Sequence, residues 1–496
     1  MIFYYGLLLA ATFVVVAVLA FVVYVSYQHH KYGHLPGPKR QSFLFGNSEI
    51  IEAVQARQTT LPETMFDLHK KYGPVVCTFF LHEPFICVID PKTAKELLMS
   101  TEYIKPWLSY RAFYKVFGQR FMGKGLVSEI DNSVWERHRK VLNPAFHRKY
   151  LMELMSVFND SADRLTDYLT SKADGKTEVS LMDAFERVTL DVIAKAAFNM
   201  EDDMIVEDTA FKEAIGLSFE GMANDLQSLF GNLDPRPKTI RYRKNVRKAI
   251  QLLRNTGEDI IRKRLADQKE GKELPKDILS FIVKTAMVEE NFNLVEMVDE
   301  FVTFFGAGQE TTSNLLSFTM LCLGQNPEAL ARVLSEVDTV IGRKEHIDYE
   351  DIIKLEYLSL VLKESLRLYP PVFGTGRVIT KSMDVVGYNI PAGSTIFFCN
   401  YAMNRSEEYF NNPLTFDPER FRRDEDKPLY VYFPFSIGPR SCIGQQFALI
   451  ESRVVLAKLL QKLNFRLVPG QNLGVRERLT LKPAGDCLNY ITLRAK

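Results

Sequence analysis

The chain has 496 residues, of which 46% are hydrophobic and 25% charged, an ordinary globular balance. That balance excludes a disordered chain, a collagen-like chain and a protein that crosses a membrane many times. Sixty-two Lys and Arg against 61 Asp and Glu leave a formal charge of +1, so the whole-chain charge points to no nucleic-acid partner.

Residues 1–28 carry no Asp, Glu, Lys or Arg. A bilayer core of about 30 Å is crossed by about 20 apolar residues, so the run from Ile2 to Tyr27 is long enough to span it. It is too long for a secretory h-region, and no small-x-small cleavage site follows. A cleaved signal or a buried helix is the competing reading. His29, His30, Lys31, His34, Lys39 and Arg40 follow the run, and the positive-inside rule then puts the rest of the chain in the cytoplasm. Residues 29–40 read as a basic, proline-rich linker, because Pro36 and Pro38 disfavour helix and stiffen the chain. Residues 41–496 read as a mainly α body with a small β subdomain. Its 35 Phe and 21 Tyr suggest a large core with an apolar cavity in it.

Val75–Phe80 and Phe85–Ile89 bracket His82 and Glu83 like a hairpin. Trp135 and Arg139 stand at i and i+4, on one helix face. Arg137, His138, Lys140, Arg148 and Lys149 lie on or just after that helix as a basic group. A second basic run holds Arg236, Lys238, Arg241, Arg243, Lys244, Arg247 and Lys248, preceded by Met222, Leu226, Leu229 and Phe230. It suits a membrane surface or an ordinary exposed basic helix. From Phe292 to about Gly324 no proline interrupts a long helix. Gly306 and Gly308, with the small Ala307 between them, cost stability in its middle, which tight helix packing or the close approach of something flat would explain. Glu364 and Arg367 share a face at i and i+3. Extended pieces are expected near Asp384–Ile390, Ser394–Cys399 and Asn489–Leu493.

The six cysteines form no CxxC pair and suggest no disulfide framework, so Cys77, Cys87, Cys322, Cys399 and Cys487 read as reduced thiols. Cys442 is different. It ends the loop Phe435-Ser436-Ile437-Gly438-Pro439-Arg440-Ser441-Cys442-Ile443-Gly444, just before an apolar-periodic helix. The glycines permit close backbone approach. A helix N-terminus favours the thiolate, and Arg440 can bind an anionic group. Such a thiolate suits haem iron.

The pattern F-x-x-G-x-R-x-C-x-G resembles the haem-ligand loop of the cytochrome P450 superfamily, of the microsomal, membrane-anchored type. Three further motifs stand in the family's order: Trp135–Arg139, Ala307-Gly308-Gln309-Glu310-Thr311-Thr312, and Glu364–Arg367 followed by Pro418-Glu419-Arg420-Phe421. The resemblance covers the chain from about Leu35 to Lys496. It implies the cytochrome P450 fold behind an N-terminal transmembrane helix, with 41–496 a haem-thiolate monooxygenase domain. It implies haem b bound axially by Cys442, with Phe435, Gly438, Arg440 and Gly444 around it. Trp135, Arg139, Arg377 and Arg440 would hold the haem propionates. Ala307 and Gly308 would let the haem approach, and Thr311 and Glu310 would handle protons in oxygen activation. Glu364, Arg367 and Arg420 would form a buried structural network.

The resemblance also places substrate contacts at Phe113, Tyr114, Phe117, Phe121, Met122, Val372, Phe373 and Thr375, with Ala484 and Gly485 capping the pocket. These are apolar or nearly neutral, which leans towards a small apolar substrate such as a sterol. Segments such as Asp191–Phe198, Tyr432–Phe435 and Phe465–Gly470 are similar to the cholesterol 24-hydroxylases within the family, implying side-chain hydroxylation of cholesterol. Electrons would come from NADPH through NADPH-cytochrome P450 reductase, alone or together with cytochrome b5, steered by the basic group after Trp135. The implied location is the endoplasmic reticulum membrane, single-pass, with membrane lipid as a further partner. Alternatives are a monooxygenase of other lipids or xenobiotics, a peroxide-rearranging isomerase or synthase, and a haem-thiolate sensor or carrier.

Overall fold

The computed structural model describes residues 2–227, 234–288, 293–423 and 429–495. Leu229, Phe230 and Phe292, singled out above, lie outside the described residues.

The first helix runs Ile2–Tyr32, four residues into the segment expected to be linker. His29, His30 and Lys31 are tolerated in its last turn because cations there complement the helix dipole. Phe3–Tyr32 is long and apolar enough to cross a membrane, with a mean hydropathy of 2.9. Its far end is docked rather than free. Phe21 and Tyr24 meet the His82 ring edge-on, at 5.6 and 5.4 Å between centroids. The Tyr32 hydroxyl lies 3.0 Å from Ser394 Oγ, and the Pro36 carbonyl accepts the Cys77 N–H at 2.7 Å. The expected spacer is therefore part helix and part packed strand-like chain.

The small subdomain is a four-stranded sheet ordered Val75–Phe80, Glu83–Val88, Thr395–Cys399, Gly374–Val378. The first pair is the expected hairpin, with Phe80 facing Glu83 across the turn. The second pair is parallel and the third antiparallel, and Arg377 pairs with Ile396. A three-stranded sheet joins Leu463–Leu467, Leu488–Leu493 and Asp174–Ser180. The last strand was not expected: it alternates no apolar residues and is mostly exposed.

The body is built round one helix, Leu294–Gln325. Asn293 caps it and accepts the Glu296 N–H at 3.0 Å, while Glu296 reaches back to the Asn293 N–H at 3.2 Å. It ends at Asn326, where Pro327 opens the next helix. Almost every turn of it is buried on all sides, and the polar groups it buries, Glu296, Asp299, Glu300 and Glu310 among them, find partners on neighbouring elements. Leu181–Phe198 packs along it, and a Cβ on Gly308 would stand only 3.3 Å from Ile193 Cδ1. Gly306 instead lies under Phe219 of the helix Ala210–Gln227 and under Met122. Of the three small residues, Gly306 serves helix packing, and Ala307 and Gly308 border a cavity.

Candidate active site

The cavity, of about 300 Å³, lies between the central helix, the Cys442 loop and the strand carrying Arg377. The loop reaches it through two left-handed residues, Ser436 (φ 60°) and Gly438 (φ 75°). A Cβ at Gly438 would run into the Leu98 carbonyl, so only glycine lets the loop lie this close to the end of the helix Pro91–Met99. The Cys442 N–H donates to Phe435 O at 2.9 Å and the Ser441 N–H to Gly438 O at 3.0 Å, which closes the loop on itself. Cys442 is exposed, and it lines the cavity. The expected pull toward the thiolate is present in the Gly444 N–H, and burial works against it. Burial of the site pushes the Cys442 thiol above its ordinary value, outweighing the Gly444 N–H and the Arg139 charge that pull it down. A thiolate at this position needs a bound cation to hold it.

Four cations line the same cavity: Lys105, Arg139, Arg377 and Arg440. No Asp or Glu lines it among the described residues. Arg440 donates to Glu129 O at 2.7 Å and to Asn132 Oδ1, and its guanidinium covers the Trp135 ring at 4.3 Å. Arg139 donates to Ser441 O at 2.8 Å, tying the Trp135 helix to the residue before the cysteine. Arg377 is 1% exposed, and its Nε is buried with no hydrogen-bond partner. Lys105 donates to Val127 O at 2.7 Å and lies 4.7 Å over the Tyr110 ring. Burial, then the charges of Arg440 and Arg377, hold Lys105 well below its usual value. Burial and the Arg377 charge bring Arg440 down to about 10. Like charges gathered in a buried wall are costly unless an anion is shared among them. A group with two carboxylates on one edge and a thiophilic metal at its centre fits this wall, and haem is such a group. Lys105 was missed in the sequence because a single lysine between Ile104 and Pro106 carries no local signal.

Ala307, Gly308, Thr311 and Thr312 border the cavity from the central helix. Thr311 Oγ1 donates to Ala307 O at 2.7 Å. Glu310 does not line the cavity. Its Oε1 accepts from Thr480 Oγ1 at 3.0 Å and pairs with Lys482 Nζ at 3.1 Å. Lys482 also pairs with Glu186 at 3.0 Å, which leads the chain of polar groups towards the surface. Thr480 and Lys482 sit in and beside the strand Leu481–Pro483, whose Leu481 N–H donates to Pro371 O at 2.9 Å.

Glu364, Arg367 and Arg420 form a fully buried cluster away from the cavity. Both Glu364 oxygens accept from Arg367 at 2.8 Å, and Arg420 Nε donates to Oε1 at 3.0 Å. The remaining guanidinium N–H groups reach the carbonyls of Asn404, Pro413, Asn411 and Thr415. This fixes the irregular stretch that leads to the Cys442 loop.

The expected substrate contacts divide. Val372 and Thr375 line the cavity. Phe113, Tyr114, Phe117, Phe121, Met122 and Phe373 do not. Phe121 stacks edge-on against Phe219, Phe117 against Tyr242, and the Tyr114 hydroxyl accepts from Arg120 at 3.2 Å. Apolar character showed that these side chains are buried, not which neighbour they bury against. The cavity's apolar wall comes instead from Leu126, Val127, Ile193, Phe304 and Leu315. Ala484 and Gly485 do not line it either. The basic group near Trp135 also divides. His138 is fully buried and Arg137 pairs with Glu296 at 2.6 Å, which leaves Lys140, Arg148 and Lys149 exposed.

A family model described as Cytochrome P450 matches residues 36–485. The chain is 32% identical over 443 residues to protein LUTEIN DEFICIENT 5, chloroplastic, of Arabidopsis thaliana, covering 85% of this chain and 71% of that protein. It is 30% identical over 417 residues to cytochrome P450 3A6 of Oryctolagus cuniculus, covering 81% of each. It is 30% identical over 431 residues to carotene epsilon-monooxygenase, chloroplastic, of Arabidopsis thaliana, covering 83% of this chain and 78% of that protein. The narrower likeness to the cholesterol 24-hydroxylases goes beyond what these relatives show.

Proposed function

The chain belongs to the cytochrome P450 family and is a haem-thiolate monooxygenase, and from that premise we propose that it hydroxylates an apolar lipid at the cavity bordered by Cys442. The observation that carries this reading is the convergence on one cavity of Cys442, Thr311 and four cations, Lys105 and Arg377 buried and Arg139 and Arg440 half-buried. Thiolate-bound haem, when present, supplies the activation of dioxygen that inserts one oxygen atom into a C–H bond.

The protein's own residues do the rest. Cys442 Sγ would hold the haem iron, and the Gly444 N–H and Arg139 offset part of the burial that otherwise favours the neutral thiol. Arg139, Arg377, Arg440 and Lys105 would hold the two propionates, and Trp135 is stacked beneath Arg440. Thr311 Oγ1 is the proton-bearing group facing the cavity, and it can exchange its bond to the Ala307 carbonyl for one to a reacting oxygen. Glu310, with Thr480 and Lys482, keeps the far side of that helical turn supplied with protons.

The apolar wall of Leu126, Val127, Ile193, Phe304 and Leu315 excludes water and offers a carboxylate substrate no partner of its own. This supports a sterol, and with the segment likenesses it supports cholesterol side-chain hydroxylation of the 24-hydroxylase kind. The names of two plant relatives favour a second reading, an extended isoprenoid substrate. The family takes electrons from a redox partner. We assign NADPH-cytochrome P450 reductase, alone or with cytochrome b5, to the exposed Lys140, Arg148 and Lys149. The first helix anchors residues 1–28 in the endoplasmic reticulum membrane, and residues 41–496 form the cytoplasmic monooxygenase domain.

The test is product analysis by mass spectrometry. Purified protein, its thiolate haem confirmed by the carbon monoxide spectrum, is incubated with reductase, NADPH and either cholesterol or β-carotene. A side-chain-hydroxylated sterol supports the first reading. A hydroxylated carotenoid with no sterol product replaces it with the second.

A further inference from the structure

Trp135 and Arg139 can serve a cofactor only if their helix, Asn132–Leu142, is held at one rotation about its axis. Eleven residues do not secure that alone. What holds it is a buried polar cluster on the neighbouring face, centred on His138. His138, one residue before Arg139 and three after Trp135, is 0% exposed. A hydrogen bond joins its Nδ1 to Glu300 Oε1 at 3.0 Å, and its Nε2 lies 3.5 Å from Glu296 Oε1. Both carboxylates belong to the first turns of the central helix, which carries Ala307 and Thr311 further on. Glu300 is 1% exposed, and its other oxygen accepts the Leu126 N–H at 3.2 Å. Leu126 precedes Val127, whose carbonyl is the acceptor for Lys105. One buried carboxylate thus sets two parts of the cation wall: Arg139 through His138, and Lys105 through the 126–127 backbone.

We propose that Glu300 and His138 are a positioning pair that sets the electrostatic field at the propionate end of the haem. Neither lines the cavity, so they act through Arg139, Trp135 and Lys105 and are not catalytic residues. The pair needs both members: removing either one breaks the hydrogen bond that ties the Trp135 helix to the central helix. The proposal rests on the reading that the cavity cations hold the haem propionates.

The experiment uses the full-length holoprotein and the variants His138→Gln, His138→Phe, Glu300→Gln and the double variant. Haem-loss rate is read by transfer to apomyoglobin, and the haem midpoint potential by spectroelectrochemistry. Arg139→Leu is the reference for the propionate reading. Asp277→Asn breaks a buried ion pair with Arg264 (2.6 Å) on other helices and is the reference for stability alone. The expected result is about tenfold faster haem loss and a more negative potential in each single variant. The double variant should be no worse than the worse single, because the two residues act as one unit. His138→Gln keeps a buried hydrogen-bonding group of similar size, so its potential decides the matter even where Glu300→Gln yields little protein. If Arg139→Leu shifts the potential while His138→Gln behaves like Asp277→Asn, losing melting temperature only, the positioning role is wrong and the propionate reading stands. If Arg139→Leu also leaves potential and haem loss unchanged, the propionate reading itself fails.

Discussion

The Arg440 guanidinium lies 4.3 Å from the centre of the Trp135 ring, although the two residues are more than 300 positions apart. Cation and ring join the Cys442 loop to the Asn132–Leu142 helix, and Arg139, one turn further along the same face, ties the same two elements through Ser441 O. A loop bound twice to one helix can present its thiol and its arginine to the same bound group.

The cation wall should be sensitive to Lys105. Replacing it with Met removes one of four like charges and keeps the bulk of the stem. We expect haem to leave the Lys105→Met protein roughly tenfold faster, which corresponds to about 1.4 kcal/mol of binding. The same change should stabilise the haem-free protein near pH 7, because a buried lysine held below its usual value opposes folding wherever the unfolded chain stays protonated. Apomyoglobin transfer and thermal melting of the two forms check the two signs.

The Glu364 cluster should behave as scaffold. Glu364→Gln leaves Arg367 and Arg420 buried without their carboxylate, a change that costs about 3–5 kcal/mol. Since a domain's whole stability is on the order of 5–15 kcal/mol, little folded holoprotein should be recovered. Recovery of wild-type yield with an unchanged melting temperature would show that the backbone carbonyls alone satisfy both arginines.

Thr311→Ala should separate oxygen consumption from product. Loss of one hydrogen bond to Ala307 O costs about 1 kcal/mol or less, so the fold should stand. NADPH oxidation should continue while peroxide rises several-fold at the expense of hydroxylated product. Thr311→Ser, which keeps the hydroxyl, should restore most of the coupling. Unchanged coupling in Thr311→Ala would remove the proton-handling role from this residue.

Glu477 should make stability depend on pH. Burial raises its carboxyl from 4.5 to about 7, opposed by the Leu61 N–H that it accepts at 2.8 Å. Between these values the folded state binds the extra proton, so this group's contribution falls as pH rises from about 4.5 to 7. The full loss above pH 7 is on the order of 3 kcal/mol. Glu477→Gln keeps an acceptor for Leu61 without the charge. It should melt higher than wild type at pH 8 and nearly alike at pH 4.5, as thermal denaturation across that range will show.

The Cys442 loop was legible in the sequence because its chemistry is local: two glycines, an arginine and a thiol within eight residues, ending at a helix. The long central helix was legible because no proline interrupts it and apolar residues fill nearly every turn. Lys105 was not legible, since its neighbours Arg377 and Arg440 are brought to it only by tertiary folding. The strand Asp174–Ser180 was not legible either. Its partner Leu488–Leu493 lies some 300 residues on, and polar residues facing solvent leave no period-two signal. Phe117, Phe121 and Met122 were placed at the cavity because apolar side chains suit it, yet helix packing against Phe219 and Tyr242 claims them.

The central claim is that Cys442 is the thiolate through which this cavity holds haem. The most direct test is the absorption spectrum of the reduced, carbon monoxide-bound protein, compared with that of Cys442→Ser. The wild type should show the strongly red-shifted Soret band of thiolate ligation and the variant should lose it, with the Glu364 cluster still keeping the chain folded. The same red-shifted band in Cys442→Ser would contradict it and place the ligand elsewhere.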